Sequence, residues 1–542
     1  MAATGPLRSP PDEASGRGLE RLAASPGAVA AIVAAGVALR LVQYAANGSL
    51  WVDEAVLARI VVERPVTQAM PPGQVAPLGF LLVEKAIVRL LGNHELVLRL
   101  FPLLCSLAAL ALLPRLAARV LTGLGRPLAV LLFALGPGLV WYGPQVKQYA
   151  SEMLASLAIW LLAVDVVDQG LTVEWAWWLG AAGVVAACFT QAVVFTLAGV
   201  GLALAVIAVR SGQRDAVPAL AVLAGCWGAA VAFTTWVSMT TLAPAYRAYL
   251  NAYWAGAFMP LPPRTLADLL WPFKRSAMLY GELLLSYHYA LAPFFLVLAL
   301  AGVWSLARRC PAVALVLFLP VALTMAAAAA RLYPFAGGRE NAFLIAVYVL
   351  ATAEGTEYLR ARSRLGGHAL VAAVVGVALY ALATSRFPYL PEHLRPALAG
   401  MRARWRDGDV VYVYYGSEPA FRYYAPGLGF TRADYVVGRC ARTDPRRYLA
   451  ELDRLRGRRR VWIVLTHDDL FNEKQVIFGY LDRIGRRVDA DPIPARSDVL
   501  TALYDLSDPL RLASVAADTY PVRPPPDATG AQCWNGVDAT PP

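Results

Sequence analysis

Apolar runs long enough to cross a lipid bilayer recur along this chain. A spanning helix needs about 20 mostly apolar residues. Such runs lie near 27–46, 95–113, 127–142, 145–164, 175–190, 192–209, 216–238, 290–307, 311–330, 341–358 and 368–385. The sequence therefore predicts an α-helical polytopic membrane protein with about eleven spans. Hydrophobic residues make up 58% of the 542 and charged residues 16%, where soluble domains carry about 25% charged residues. That balance excludes a soluble enzyme, a disordered chain and a disulfide scaffold. Unbroken apolar runs also exclude an outer-membrane barrel, whose strands alternate.

The distribution of charge sets an orientation. The net charge is +11, yet residues 387–542 hold 22 Lys/Arg against 20 Asp/Glu. Most of the excess falls in short loops between apolar runs. That is the positive-inside pattern, and no basic stripe with interleaved aromatics points to nucleic acid. With the N-terminus in the cytoplasm, the cytoplasmic segments hold Arg8, Arg17, Arg21; Arg115, Arg119, Arg126; Arg210, Arg214; Arg308, Arg309; and Arg360, Arg362, Arg364. The loop from Asp165 to Glu174 has no basic residue. Eleven spans then place the C-terminal region outside the cell, and the protein is expected in the inner (plasma) membrane. Cys440 and Cys533 share that oxidising compartment, which allows a disulfide or two free thiols.

Three regions follow: a cytoplasmic tail, 1–26; a transmembrane part, 27–386; and an extracytoplasmic region, 387–542. The tail region changes character. Val410–Tyr415, Val461–Leu465 and Val499–Asp505 read as strands, and Pro445–Leu455 and Asn472–Ile484 as helices, giving a small α/β domain. Between the first two spans, Ala76–Leu91 is amphipathic but interrupted by Glu84, Lys85 and Arg89. It reads as a helix lying in the membrane interface.

The strongest chemical signal is Ser49-Leu50-Trp51-Val52-Asp53-Glu54-Ala55, directly after the first span. A carboxylate there can act as a general base toward a hydroxyl. Equally, Asp53 and Glu54 complement the positive end of a helix running to Val62. Lys147, in Tyr142-Gly143-Pro144-Gln145-Val146-Lys147-Gln148-Tyr149, is costly in the membrane unless hydrated, paired or snorkelling to headgroups. A late loop, Arg331-Leu332-Tyr333-Pro334-Phe335-Ala336-Gly337-Gly338-Arg339-Glu340, sets a cation beside two glycines. Bare backbone admits close approach of a phosphate, and Arg holds two phosphate oxygens at once. A surface Arg–Glu pair is the alternative. Arg40 and Arg99 lie within or beside spans, where Arg is functional by default, or is paired here with Glu84 or Glu95. Glu152 also needs a partner. The histidines show no metal-ligand spacing.

Trp51-x-Asp53-Glu54-Ala55, then Gln74-x-Ala76-Pro77-Leu78, then Leu91-Gly92-Asn93-His94-Glu95 leading to Arg99, resembles the first outer loop of GT-C superfamily glycosyltransferases. The likeness is to the branch with protein O-mannosyltransferases and the lipid A aminoarabinose transferase. It covers 38–113 in detail and the other spans by layout. It implies transfer of a sugar, with inversion, from a polyprenyl-phosphate donor on the outer face of the membrane. The acceptor is a hydroxyl on a glycan, a glycolipid or a protein. Asp53 would be the base. Glu54 matches a second acidic position that supports Asp53 or binds an acceptor or a metal. Gln145, Lys147 and Tyr149 match a substrate-binding stretch in bacterial members, and Tyr333 with Arg339 or Arg331 a late loop. A Lys-Pro-Pro expected after the acidic pair is replaced by Gln74-Val75-Ala76-Pro77. A divalent metal is compatible with the acidic pair and not required by it; no other cofactor is implied. A secondary transporter, or an assembly factor whose outer domain binds a partner, are the competing readings.

Overall fold

A computed structural model describes residues 25–66, 76–213, 216–241, 244–441, 444–467, 473–490 and 498–522. Arg8, Arg17, Arg21, Gln74, Val75, Arg214 and Cys533 lie outside the described residues. Cys440 is disulfide-bonded, while Cys105, Cys188, Cys226 and Cys310 are free.

The helical part begins with α1 (Pro26–Ala45), followed by the short α2 (Val52–Glu63) and α3 (Leu78–Leu91). Then come α4 (Leu100–Val120), α5 (Gly125–Leu135), α6 (Pro137–Tyr142), α7 (Tyr149–Gln169), α8 (Val173–Phe189), α9 (Val193–Ser211) and α10 (Ala216–Thr241). The remainder is α11 (Trp271–Leu283), α12 (Ala292–Arg309), α13 (Pro311–Ala329), α14 (Ile345–Arg360) and α15 (Arg364–Thr384). Among the described residues, nine helices are long and apolar enough to cross a membrane. The other two expected spans are the shorter apolar helices α5 and α8.

The expected span 127–142 is broken for a local reason. Pro137 has no N–H, so the carbonyl of Phe133 loses its helical donor. The chain turns at Gly136 and restarts with Pro137 in the first turn of α6, a position proline favours. Arg40 from α1 supplies what is missing. Its Nη2 donates to Phe133 O (3.1 Å), its Nη1 to Ala134 O and Gly36 O (3.0 Å each), and its Nε to Ser106 Oγ (3.0 Å). The carboxylate partner expected for Arg40 is therefore not needed; four oxygens of the helix packing satisfy it.

Small residues set how closely the helices approach. A Cβ on Gly302 of α12 would come within 1.8 Å of Ala351 O, and one on Gly355 of α14 within 1.8 Å of Leu298 O. The two backbones touch, leaving no room for a methyl group.

In α3, Glu84 and Lys85 face inward, while Arg89 is exposed. Lys85 donates to Ile60 O (2.7 Å), Val61 O (3.0 Å) and Arg64 O (2.7 Å), capping the C-terminus of α2. Glu84 is fully buried, and burial pushes its carboxyl well above the ordinary range.

Beyond α15 lie α16 (Leu394–Ala403), α17 (Glu418–Tyr424), α18 (Arg446–Asp453) and α19 (Glu473–Ile484), around a five-stranded sheet. Its strands are β1 (Val410–Val413), β2 (Tyr435–Val437), β3 (Val461–Leu465), β4 (Arg486–Ala490) and β5 (Leu500–Asp505), in the order β2-β1-β3-β5-β4. β1 pairs in parallel with β2 and β3; β5 is antiparallel to β3 and β4. The central strands β1 and β3 are buried throughout, as continuous apolar strands covered on both faces should be. β2 and β4 were not anticipated from sequence, because one is three residues long and the other carries two arginines and an aspartate.

The two faces of this sheet pack differently. Tyr412, Ile463 and Leu465 meet Tyr448 and Leu449 of α18 and Ile477 and Tyr480 of α19. Val411, Val413, Trp462 and Val464 share a core with α16, α17 and the first-loop residues Leu50, Leu57, Ala58, Phe80 and Leu81. The sheet and the loop after α1 are thus halves of one hydrophobic core.

Gly302→Ala is expected to cost about 1–3 kcal/mol, the usual penalty for overpacking a closed interface. Thermal unfolding of the detergent-purified protein measures it, and an unchanged midpoint would contradict the helix contact.

Candidate functional site

The segment from Gly48 to Val52 runs extended between α1 and α2, so its backbone groups need partners from elsewhere. They come from three directions. Arg99 Nη1 donates to Gly48 O (2.6 Å) and Nη2 to Ser49 O (3.2 Å). The N–H of Ser49 donates to His393 Nδ1 (3.0 Å), that of Leu50 to Tyr424 Oη (2.7 Å) and that of Val52 to Glu392 Oε2 (3.0 Å). Arg395 adds an ion pair to Glu95. Residues C-terminal to the last apolar helix therefore hold the loop that opens α2.

Asp53 and Glu54, adjacent in sequence, have opposite surroundings. Glu54 is 1% exposed. It accepts Arg99 Nη2 (2.6 Å) and Nε (2.9 Å), and the backbone N–H groups of Val146 (3.0 Å) and Trp51 (3.4 Å). Arg99 thus pairs with Glu54, and not with the expected Glu84 or Glu95, because the start of α4 meets the start of α2 directly. Glu54 ties three segments together: α2, the start of α4 and the turn before α7.

The Asp53 side chain is 33% exposed and meets Arg339 Nη2 from its Oδ2 at 3.1 Å. Burial by itself would raise its pKa. The charges of Lys147, Arg339 and His467 together outweigh that and hold the carboxyl below its ordinary value. Asp53 is thus an ionised carboxylate facing three basic groups from three segments.

Arg339 is the hub of the arrangement. Its guanidinium lies 4.8 Å from the centre of the Trp51 ring, and its Nε is 3.2 Å from Glu340 Oε1. Its backbone N–H donates to Glu282 Oε1 (3.0 Å), which also accepts the hydroxyl of Tyr142 (2.8 Å). The glycines before it have a different use from the one expected. A Cβ on Gly338 would meet Glu282 Oε2 at 2.2 Å, and one on Gly337, at φ +78°, would meet Arg275 O at 2.3 Å. The space opened by the bare backbone is filled by α11, so the pair sets helix packing.

The expected start of a span at 145 is displaced, because Gly143 to Gln148 form a turn and α7 begins at Tyr149. That turn presents Lys147, which has no carboxylate within 4 Å among the described residues. Gln145 is 3% exposed, and neither of its amide atoms has a hydrogen-bond partner among the described residues. An unpaired buried polar group of this kind costs about 1–3 kcal/mol. Tyr149 sits beside Arg339 and Asp53, its ring edge-on to Tyr142 at 5.6 Å. Tyr333 donates to Glu340 O (2.7 Å), bracing the Arg339 turn, and its ring lies tilted against that of Phe195 with centres 4.9 Å apart. Arg331 is not brought to the others. It is exposed at φ +57°, its guanidinium 5.9 Å from the Phe258 ring. Glu152, left without a partner in the sequence, lies beside Thr190.

Two participants, Glu282 and Glu392, carry no sequence signal, and His467, which follows a strand beside Asp468-Asp469, reads from sequence as a solvated turn and not as part of this site. Glu392 accepts from Val52 with one oxygen and meets His467 Nδ1 with the other (2.9 Å), and the His467 ring lies 6.5 Å from that of Trp51. The residue after β3 and its connector thereby reaches the neighbourhood of Asp53, more than 400 positions earlier in the chain. Among the described residues no group of three His, Cys, Asp or Glu is placed to hold a metal ion; Asp468 and Asp469 lie outside them.

Removing Arg99 leaves Glu54 buried and uncompensated, which costs about 3–5 kcal/mol. Arg99→Met is expected to lower the unfolding midpoint sharply, and Arg99→Met with Glu54→Gln to recover part of the loss. A double variant no better than the single one would refute the pairing.

A chain of known structure shares this architecture. ArnT from Cupriavidus metallidurans, crystallised with undecaprenyl phosphate, superposes with a TM-score of 0.52 at 12% identity, over 89% of this chain and 98% of that one. The Archaeoglobus fulgidus oligosaccharyltransferase, in a complex with Zn and sulfate, gives a TM-score of 0.44 at 12% identity, over 80% and 67%. No family model and no curated protein matches the sequence. A match over 89% of this chain, helical membrane part and C-terminal sheet domain together, gives this chain the fold of that ArnT structure.

Proposed function

We propose that the chain is an inverting glycosyltransferase that moves a sugar from a polyprenyl-phosphate donor to an acceptor hydroxyl. The observation that carries this reading is the ionised Asp53 carboxylate facing Lys147, Arg339 and His467. A base and a set of cations side by side suit a reaction that generates a proton at one end and a phosphate anion at the other. The ArnT structure of the same fold was solved with a polyprenyl phosphate bound, which supports a lipid-phosphate donor here.

The roles follow from the contacts. Asp53 takes the proton of the acceptor hydroxyl as that oxygen bonds to the anomeric carbon. The bond from that carbon to the phosphate oxygen breaks on the opposite side, with inversion. Negative charge grows on the leaving lipid phosphate, where a fixed cation lowers the barrier. Lys147, with no carboxylate within 4 Å among the described residues, is the cation that can turn to it. Arg339 is paired with Asp53 at rest; as Asp53 gains its proton that attraction falls, and the guanidinium becomes available to the phosphate. Glu54 is not the base, since Arg99 and two backbone N–H groups occupy both its oxygens; it holds Asp53 in place. Tyr149 and Tyr333 shape the Arg339 side of the site. The acceptor is a glycan, a glycolipid or a protein. The reading places the site on the outer face of the plasma membrane, with the N-terminus in the cytoplasm and the sheet domain outside.

Asp53→Asn is expected to lower release of free lipid phosphate from polyprenyl-phosphate sugars by about 10²–10⁴-fold, the usual contribution of a general base, with the unfolding midpoint retained. Turnover at the wild-type rate would refute the assignment.

The pH profile supplies a second check. Asp53 is held ionised by its cations, so the acid limb of kcat/KM should fall below the ordinary carboxylate range. Arg339→Gln removes one of those charges, and the limb should move to higher pH; a limb that stays put would separate Asp53 from the reaction.

A further inference from the structure

Glu392 and His467 both belong to the region after the last apolar helix, yet both reach the start of α2. Glu392 is 6% exposed, and each of its oxygens is engaged. Oε2 accepts the N–H of Val52 (3.0 Å), and Oε1 meets His467 Nδ1 (2.9 Å). Val52 is the first residue of α2, and an N–H in a first helical turn has no partner within its own helix. The carboxylate supplies one, at the end of the helix that favours negative charge. Asp53 is the next residue, so this contact fixes the turn from which its side chain leaves.

His467 in turn fixes Glu392. A carboxylate only accepts, so the imidazole keeps a proton on Nδ1 and donates it. The ring is delivered by an unusual backbone. His467 has φ +60°, which is disfavoured for a residue with a Cβ. The strand end before it is tied down, with the N–H of Thr466 donating to Ser417 Oγ (2.7 Å). Strain of this kind persists only where the surroundings enforce it, and it gathers at functional sites. Here the strained residue is aimed at the base. Its ring lies 6.5 Å from that of Trp51, the same indole that carries the Arg339 guanidinium at 4.8 Å. Its charge acts on Asp53 together with those of Lys147 and Arg339.

We propose that Glu392 and His467 are positioning residues for the base. Glu392 holds the first turn of α2 with one oxygen and the His467 imidazole with the other, so the sheet domain sets the direction of the Asp53 carboxylate and adds a cation beside it. The proposal rests on the transferase reading for the reaction that the base serves. Loss of the pair acts on kcat, because a base displaced by about 1 Å can lose up to 10²-fold in rate. It spares the KM of the donor, whose phosphate meets Lys147 and Arg339 in that reading.

Release of lipid phosphate by the full-length protein in detergent is measured across pH for the wild type, His467→Ala, His467→Asn and Glu392→Gln. His467→Ala removes ring and charge; kcat is expected to fall about tenfold with the donor KM unchanged. Asn places an amide donor where Nδ1 stood and tolerates positive φ, so His467→Asn should recover most of that loss. Neither variant restores the charge, so in both the acid limb of kcat/KM should lie at higher pH than in the wild type. Glu392→Gln keeps only one of the two contacts and should match His467→Ala in kcat; it decides if His467→Ala does not fold. A carbodiimide, which reacts with neutral carboxyl groups, gives a readout without turnover. At about pH 5 its modification of Asp53, located by mass spectrometry, should run about threefold faster in His467→Asn than in the wild type, the effect of one nearby charge in a water-like medium. Wild-type kcat in His467→Ala or Glu392→Gln, no recovery in His467→Asn, or equal modification of Asp53 would each overturn the proposal. Faster modification in His467→Asn without release of lipid phosphate by the wild type would unseat the transferase reading alone. Release by the wild type with kcat unmoved in the variants would unseat the positioning pair alone.

Discussion

The ion pair between Glu54 and Arg99 is the constraint on which the site depends. It is buried, bidentate and extended by the N–H of Val146, so it joins the start of α2, the start of α4 and the turn before α7. A charge pair in such a place is stable only when every lone pair and proton is satisfied, and here the loop carbonyls of Gly48 and Ser49 complete the set. The consequence reaches the neighbouring residue. With Glu54 pinned, Asp53 is turned to the other side of the first helical turn, toward Arg339. One carboxylate is used up to hold the structure so that the other can be left ionised and partly open.

The same economy recurs elsewhere in the chain. Arg40 closes the gap opened by Pro137, and Lys85 caps α2. Both are buried cations with backbone oxygens as partners, and both fix how short helices meet long ones. Lys147 differs from them in that its ammonium has no hydrogen-bond or ion-pair partner among the described residues, and Arg339 in being paired with Asp53, whose side chain is 33% exposed. That contrast, and not the presence of charge near the membrane, marks the cations available to an anionic ligand.

The C-terminal sheet is part of this arrangement. Its face with Val411, Val413, Trp462 and Val464 shares a core with α2 and α3, and Glu392, His393 and Tyr424 bind the backbone just before Asp53. A module attached only by a linker would not supply hydrogen bonds to a loop formed over 340 positions earlier. The domain thus helps hold the loop before Asp53, and the charge of its His467 acts on the Asp53 carboxyl.

Much of this was legible in the sequence. Length of apolar run identifies the spanning helices because lipid leaves backbone groups no partners but one another. Local pattern marked Asp53, Glu54, Lys147 and Arg339, and the family resemblance added Gln145, Tyr149 and Tyr333 to the candidate set. What local pattern could not rank was the role of each, since two adjacent carboxylates look alike until their partners are known. It favoured Arg339 over Arg331, and the structure separates them: one stacks on Trp51, the other lies exposed against Phe258. It read Gly337-Gly338 as room for a ligand, whereas α11 fills that room. Glu282 and Glu392 carried no signal, and His467 read only as a turn residue, because a residue that matters through a contact hundreds of positions away leaves no periodicity or motif. The sequence by itself determined that the chain lives in a membrane and which polar residues had to be explained there, both being matters of solvation written one residue at a time. Only the tertiary structure decided which of those charges cancel and which stay available, because that depends on distances between segments that the chain brings together by folding.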